Sequence, residues 1–427
     1  MYGNLVTIVV PAYNAEAFLK ENIESILGQT YKDLEVVYVC DGCIDRTAEI
    51  LEEYKSDNRL SVVVQKENQG AAVARNIGME MATGDWIIFL DADDLFELDM
   101  IESMVNTAQE TGADIVGCYW DVFDDVPAGS RVVNDEKRKR YCKEYPIIDV
   151  HKNLKHIMQM VDKGPCTKLI HKSIYKKQEV YFQKLPNSND VYYSLTAVMN
   201  ANRIAYIGRT LLHYRSDKGR TTLSTHRNLK KNCIWEACDK VFEYIISEEK
   251  NRIYLQSFYN DVINNVRDYI NFPVFDILID ELQNKYFVKW GMANGEVEDK
   301  LSCFNCIIYR KLLAGDRCLD YWDLVRFSKI EFVRRMSKIG CSIWGTGEQG
   351  QLLMDDIAKT DVKIQYVFDS SPAKMGTSFY GYVVENFEEV EADNIIVTTS
   401  KYYDEIKEKL EGKVAYIFNI DEQIWVI

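Results

Sequence analysis

Between residues 5 and 94, short β-branched runs alternate with helical patterns, and that rhythm leaves few folds open. "LVTIVVPAYN" is an apolar run interrupted by Pro11, and "EAFLKENIESIL" repeats apolar residues at helical spacing. "LEVVYVC", "LSVVVQ" and "DWIIFLDADD" read as further strands, separated by the helical patterns "DRTAEILEEYK" and "AAVARNIGMEMA". Strands that alternate with helices build a parallel α/β sheet, which binds ligands beyond the carboxyl ends of its strands. Asp41 and the acids from Asp91 to Asp94 stand at two such ends.

The chain has 427 residues, 47% of them hydrophobic, enough for two or three cores. From 228 to 336 the pattern changes to aromatic-rich helices such as "CIWEACDKVFEYII", and from 337 "CSIWGTGEQGQLLMDDIAK", "IQYVFD" and "NIIVTTS" restore the βαβ rhythm. The expected organisation is a nucleotide-type α/β domain over 1–227, a helical connector over 228–336 and a small Rossmann-like domain over 337–427.

Other features narrow the function classes. Fifty-one basic residues against sixty-six acidic ones give a net charge of -15, which argues against a general nucleic-acid binder. The basic run "EKRKR" at 136–140 reads as a solvated loop, with contact to an anionic lipid or acceptor as the alternative. Apolar runs fall far short of a bilayer span, and the start lacks a basic n-region, so a cytoplasmic chain is expected. Peripheral association with the inner face of a membrane and an oligomeric state stay open. Eleven cysteines, mostly in apolar stretches, fit a reducing compartment. The close pairs Cys40/Cys43 and Cys303/Cys306 have unlike contexts and do not read as one zinc site.

Asp91, Ala92, Asp93 and Asp94 form the strongest chemical signal. Carboxylates at i and i+2 leave an extended chain on one side and can share a hard cation, Mn2+ or Mg2+, that bridges diphosphate oxygens. For Asp94 a helix N-cap is the competing reading. In the C-terminal part, Gly345, Gly347 and Gly350 form G-x-G-x-x-G between strand and helix, and a following strand ends at Asp369. Such glycines let a backbone approach a nucleotide diphosphate while an acid takes ribose hydroxyls; the alternative is close helix–strand packing.

The ordered set "TIVVPAYNAEAFL", "SILGQTYKDLEVVYVCDG", "NQGAAVARNIGMEMATGDWIIFLDADD" and "PCTKLIHKS" resembles the catalytic domain of the family 2 glycosyltransferases over roughly 4–225. The resemblance implies the GT-A nucleotide-diphospho-sugar transferase fold, a UDP-linked donor, and a glycan, lipid-linked or protein acceptor. It implies that Pro11, Ala12 and Tyr13 pack on base and ribose, and that Asp41 meets the base within Cys40-Asp41-Gly42-Cys43, where similar enzymes carry Asp-Asp-Gly-Ser. Arg75 and Arg215 would lie near the diphosphate, with a surface salt bridge as the alternative for Arg75. Asp91 and Asp93 would hold the metal, and His213 or His226 is a weaker candidate for a further ligand. Asp190 matches the catalytic base, although Asn189 replaces the usual Glu before it; a helix cap is its bland alternative. The C-terminal part resembles Rossmann-like domains fused to enzymes of surface-glycan pathways.

The expected activity is an inverting, metal-dependent sugar transfer in surface polysaccharide or glycoconjugate synthesis. Two rivals remain. The departures at Cys40, Cys43 and Asn189 suit a degenerate transferase that only binds or assembles, and the glycine loop suits a second, nucleotide-dependent activity.

Overall fold

The computed structural model describes residues 5–123, 146–215, 233–270, 275–398 and 400–424. The chain forms two compact units, one of Met1–Asp261 with Phe272–Leu278 and one of Val262–Asn271 with Ile279–Ile427. Among the described residues no helix is long and apolar enough to cross a membrane.

The first unit is built on β1 (Val6–Ala12), β2 (Leu34–Asp41), β3 (Leu60–Gln65), β4 (Trp86–Phe89), β5 (Leu95–Phe96), β6 (Ile115–Phe123), β7 (Ile147–Asp149), β8 (Lys168–His171) and β9 (Arg203–Arg215). These make one mixed sheet in the order β3-β2-β1-β4-β8-β6-β9-β5, with β7 paired to β9. The first four strands are mutually parallel, and β8 joins antiparallel to β4. β1 is apolar on both faces because it lies between two parallel neighbours with packed material above and below. β3, at the edge, keeps Ser61 and Val64 exposed.

Helix Leu19–Leu27 buries Leu19, Asn22, Ile23 and Ile26 against this sheet, the i, i+3, i+4, i+7 face of an amphipathic helix. Its first turn begins three residues later than the periodicity suggested. Glu16 N donates to Asp45 and Ala15 N to Thr47, so this backbone is spent on the next βα turn. Helix Ala71–Met81 covers the other face, and Gly78 lets it approach closely: a Cβ there would meet Val9 Cγ1 at 2.2 Å. The strand read through Asp94 ends at Phe89, because the acids turn back on themselves before β5.

The helices of 228–336 are divided between the two units. Helix Ile234–Ser247 belongs to the first, where Trp235 Nε1 donates to the Leu278 carbonyl. Helices Cys303–Leu313 and Tyr321–Ser337 belong to the second, and Cys303, Phe332, Val333 and Met336 enter its core. Apolar helix faces need a sheet or a neighbouring helix to cover them, and each part of this stretch finds its own.

The second unit carries β10 (Ser342–Trp344), β11 (Val367–Phe368), β12 (Ser378–Phe379), β13 (Tyr382–Glu385), β14 (Asn394–Val397) and β15 (Tyr416–Asn419). Their order is β12-β13-β11-β10-β14-β15, all parallel except β12. From β13 to β15 this is a doubly wound α/β arrangement with β10 at the centre, as the recurring βαβ rhythm implied.

Candidate active site

β1, β2 and β4 run in register side by side, so Pro11 and Ala12, Asp41 and Asp91 emerge at one edge of the sheet. Tyr13 follows β1 and is half exposed. Asp41 is buried and its carboxylate is heavily used. Oδ1 accepts from Gln65 Nε2 at 2.9 Å and Gln69 N at 2.8 Å, and Oδ2 from Gly70 N at 2.7 Å. Asp41 therefore also shapes the loop before helix Ala71–Met81. Gly42 is obligatory in this turn: its φ is 66°, and a Cβ would meet Asn68 N at 2.3 Å.

The acidic loop is held from behind by Asn22. Its Nδ2 donates to the carbonyls of Asp91 and Asp94, both at 2.9 Å, while its Oδ1 accepts from Tyr38 Oη at 2.7 Å. Asn22 went unremarked in the sequence; a polar residue between Leu19 and Ile23 on a buried helix face was the available signal. Asp94 is no helix cap, since β5 intervenes before helix Met100–Thr111, which Asp99 precedes. Instead Asp94 Oδ1 accepts Arg215 N at 2.9 Å. Burial, then the neighbouring Asp91 and Asp93 carboxylates, push its pKa well above the ordinary range. That accumulation of negative charge is what a divalent cation would offset, and Asp91 and Asp93 are the oxygens that would hold it. Among the described residues, no group of three or more His, Cys, Asp or Glu is arranged to hold a metal.

Arg75 is buried rather than on the helix surface. Its Nη2 donates to Asp91 Oδ1 at 2.7 Å and its Nη1 to Asn189 Oδ1 at 3.3 Å, with the guanidinium over the Phe182 ring. Burial works against its charge, yet Asp91 above all keeps the pKa raised, and Asp190 adds to that field. Asp190 opens helix Asp190–Met199, and the preceding Ser188 has a left-handed φ of 55°. Asn189 occupies the cap position, but its side chain makes no cap hydrogen bond and meets Arg75 instead.

Arg215 sits against the acidic loop. Its guanidinium is sandwiched between Phe18 and Phe123, each 4.6 Å away, while Nε donates to the Asp93 carbonyl and Nη2 to Glu21. It braces the acidic loop from the protein side. His213 Nδ1 lies 2.7 Å from Asp121 Oδ1 and Nε2 3.1 Å from Glu97 Oε1, so both ring nitrogens are engaged away from Asp91 and Asp93. Burial opposes protonation of His213, but the two carboxylates outweigh it and raise its pKa. His226 and the basic run at 136–140 lie outside the described residues.

In the second unit, the glycine loop is committed to packing at two of its three positions. A Cβ on Gly350 would meet the Gly345 carbonyl oxygen at 2.0 Å, and one on Gly345 would meet Thr398 Oγ1 at 2.5 Å. Gly347 alone opens on free space, at the start of helix Glu348–Ile357. Asp369, expected to face a ribose, spends its carboxylate locally on Thr346 N, Thr346 Oγ1, Ser371 N and Lys374 Nζ. Despite burial, these donors lower its pKa to about 2.

The mixed sheet of the first unit has a GT-A-like order. Residues 7–178 match the model of the glycosyl transferase family 2, and this chain carries a domain of that family. Residues 337–417 match a separate model, C2185-like, N-terminal. Over 218 residues the chain is 29% identical to glycosyltransferase GlyA of Streptococcus pneumoniae, covering 50% of this chain and 31% of GlyA. Over 120 residues it is 40% identical to GlyG of the same organism, covering 28% of this chain and 40% of GlyG. The chain thus spans well under half the length of these relatives. The crystal structure of Staphylococcus aureus TarS 1–349 shares the fold, with a TM-score of 0.56 at 18% identity, covering 78% of this chain and 91% of that one.

Proposed function

We propose that the first unit is an inverting glycosyltransferase that moves a sugar from a nucleotide-diphospho-sugar, with UDP as the nucleotide, to a hydroxyl of a glycan, lipid-linked or protein-linked acceptor. Surface polysaccharide or glycoconjugate synthesis is the setting that the family resemblance suggests. The observation that carries the reading is the Arg75 bridge: one buried guanidinium holds Asp91 of the acidic loop and Asn189 beside Asp190. That bridge supports a donor side and a candidate base that are neighbours.

Asp41 offers only acceptor oxygens, which suits the ring N–H of uracil and not the unprotonated ring nitrogen of cytosine. Crystal structures of TarS 1–349 are of complexes with UDP and with UDP-GlcNAc, which supports a uridine donor for a domain of the same fold. Asp190 takes the proton of the acceptor hydroxyl as its oxygen attacks the anomeric carbon; the bond from sugar to diphosphate breaks on the opposite face, and one displacement inverts the centre. Asp91 and Asp93 would hold Mn2+ or Mg2+, which when bound offsets charge on the leaving diphosphate. Arg75 fixes Asp91 in place, and Asn22 fixes the loop that bears it. Residues 337–427 take no part in the transfer.

A panel of nucleotide sugars screened by thermal shift, followed by donor hydrolysis, tests this. A ligand that binds only the folded state raises its stability. Stabilisation by UDP-sugars with slow hydrolysis is expected; binding without any hydrolysis or transfer would favour a degenerate, binding-only domain.

A further inference from the structure

Cys40 lies in the last part of β2, and the left-handed turn at Gly42 brings Cys43 back towards it. Cys43 Sγ donates to the Ala12 carbonyl oxygen at 3.3 Å, and Ala12 is the β1 residue paired with Cys40 of β2. Cys40 is fully buried, whereas Cys43 is partly exposed. The neighbouring Cys40 thiol lowers the pKa of Cys43, and that of Cys40 rises, by its interaction with Cys43 and by burial. Cys303 and Cys306 make the contrast: both are buried on one helix, and burial raises both pKa values. A partly exposed thiol with a buried thiol beside it across a tight turn is the arrangement that oxidants select.

We infer that Cys40 and Cys43 form a dithiol modification site, which a peroxide closes to a disulfide and thereby disturbs the nucleotide contact at Asp41. The nucleotide part rests on the donor-site reading above. The Cys43 thiolate attacks a peroxide oxygen, the O–O bond breaks, and a sulfenic acid forms as hydroxide departs. Cys40 sulfur then attacks the sulfenic sulfur, its proton leaves with the second hydroxide, and one disulfide and two waters result from two thiols and hydrogen peroxide. Drawing the two sulfurs into a bond of about 2 Å moves the Asp41–Gly42 turn between them. That turn has no slack. Asp41 is tied to Gln65, Gln69 and Gly70, and the Gly42 backbone is packed against Glu67 and Asn68. The shift therefore passes to the loop at 67–70, and the Ala12 carbonyl loses its thiol neighbour.

The test is made on the full chain. Protein treated with hydrogen peroxide is digested and mapped by mass spectrometry, and UDP affinity is measured by calorimetry before and after dithiothreitol. The expected result is a Cys40–Cys43 peptide lighter by two hydrogens, UDP affinity weaker by about ten-fold or more, and recovery of both on reduction. C43S should show neither change, and the wild-type mass map stands even where that variant misfolds. Two free thiols persisting while the exposed Cys318 oxidises would overturn the site, as would a disulfide that leaves UDP affinity unchanged. The mass shift needs no nucleotide, so failure of the dithiol is distinguishable from failure of the donor reading, which a reduced protein that binds no UDP would reveal.

Discussion

Arg75 Nη1 donates to Asn189 Oδ1 at 3.3 Å while Nη2 of the same guanidinium donates to Asp91 Oδ1 at 2.7 Å. Where similar enzymes carry Glu, Asn189 offers a neutral acceptor, so Asp91 is the carboxylate bonded directly to Arg75. Replacing Arg75 by Met should cost about 3 kcal/mol of stability, because breaking a buried ion pair leaves its partner uncompensated; partial exposure of Asp91 keeps the figure from the top of the range. Thermal unfolding measures it. An unchanged midpoint would show that the bridge carries no load.

Asp190→Asn should abolish transfer while donor affinity stays within a few-fold, as expected for a group that acts in the transition state. Single-turnover kinetics and calorimetry on the same protein check both halves. Asn189 occupies the cap position, so a large loss of fold in this variant would argue for a structural role instead.

Asp41→Ala should weaken UDP binding by roughly ten- to a hundred-fold, the worth of a charged hydrogen bond of about 1.5 to 3 kcal/mol. It should also loosen residues 67–70, since their backbone donors at Gln69 and Gly70 lose their acceptor. Hydrogen exchange at those amides, faster in the variant, is the direct readout.

Much of this site was legible in the residues before any coordinates. β-branched runs at β1, β2 and β4 located the sheet edge, and the clustered acids at its end marked the site, because strand alternation and local charge are short-range properties of the chain. The settings of Arg215 and Asp369 were not legible. Arg215 is enclosed by Phe18 and Phe123, residues brought together only by the folded sheet, and the donors that occupy Asp369 lie on two loops. The sharing of the helices between two units was equally hidden, since amphipathic patterns reveal that a face is covered and not by what.

The second unit has its own acid-sensitive element. Glu331 is buried and accepts from Arg310, Arg334 and Arg335. Burial opposes its charge, but those arginines outweigh it and lower the pKa from 4.5 to about 2. A lowered folded-state pKa means that the stabilisation is full above the unfolded value and is lost as pH falls through the folded one. Stability of this unit should therefore decline between about pH 4.5 and pH 2, and Glu331→Gln should remove that contribution to the slope. Acid titration followed by near-ultraviolet circular dichroism compares the two proteins.

His213 gives the opposite sign. Its raised pKa makes the contacts with Asp121 and Glu97 strongest below the unfolded value near 6.5, and they weaken as pH rises through the folded value. Titration of the His213 ring by NMR should show a midpoint above that of a free histidine, and Asp121→Asn should move it down.

The most direct test of the donor site is calorimetry of UDP with Mn2+ on the wild-type protein and on Asp93→Asn, each with and without a chelator. The expected result is binding by the wild type that needs the cation and is weakened by the substitution. Equal affinity in wild type, variant and chelator-treated protein would contradict a metal-assisted donor site at Asp91 and Asp93.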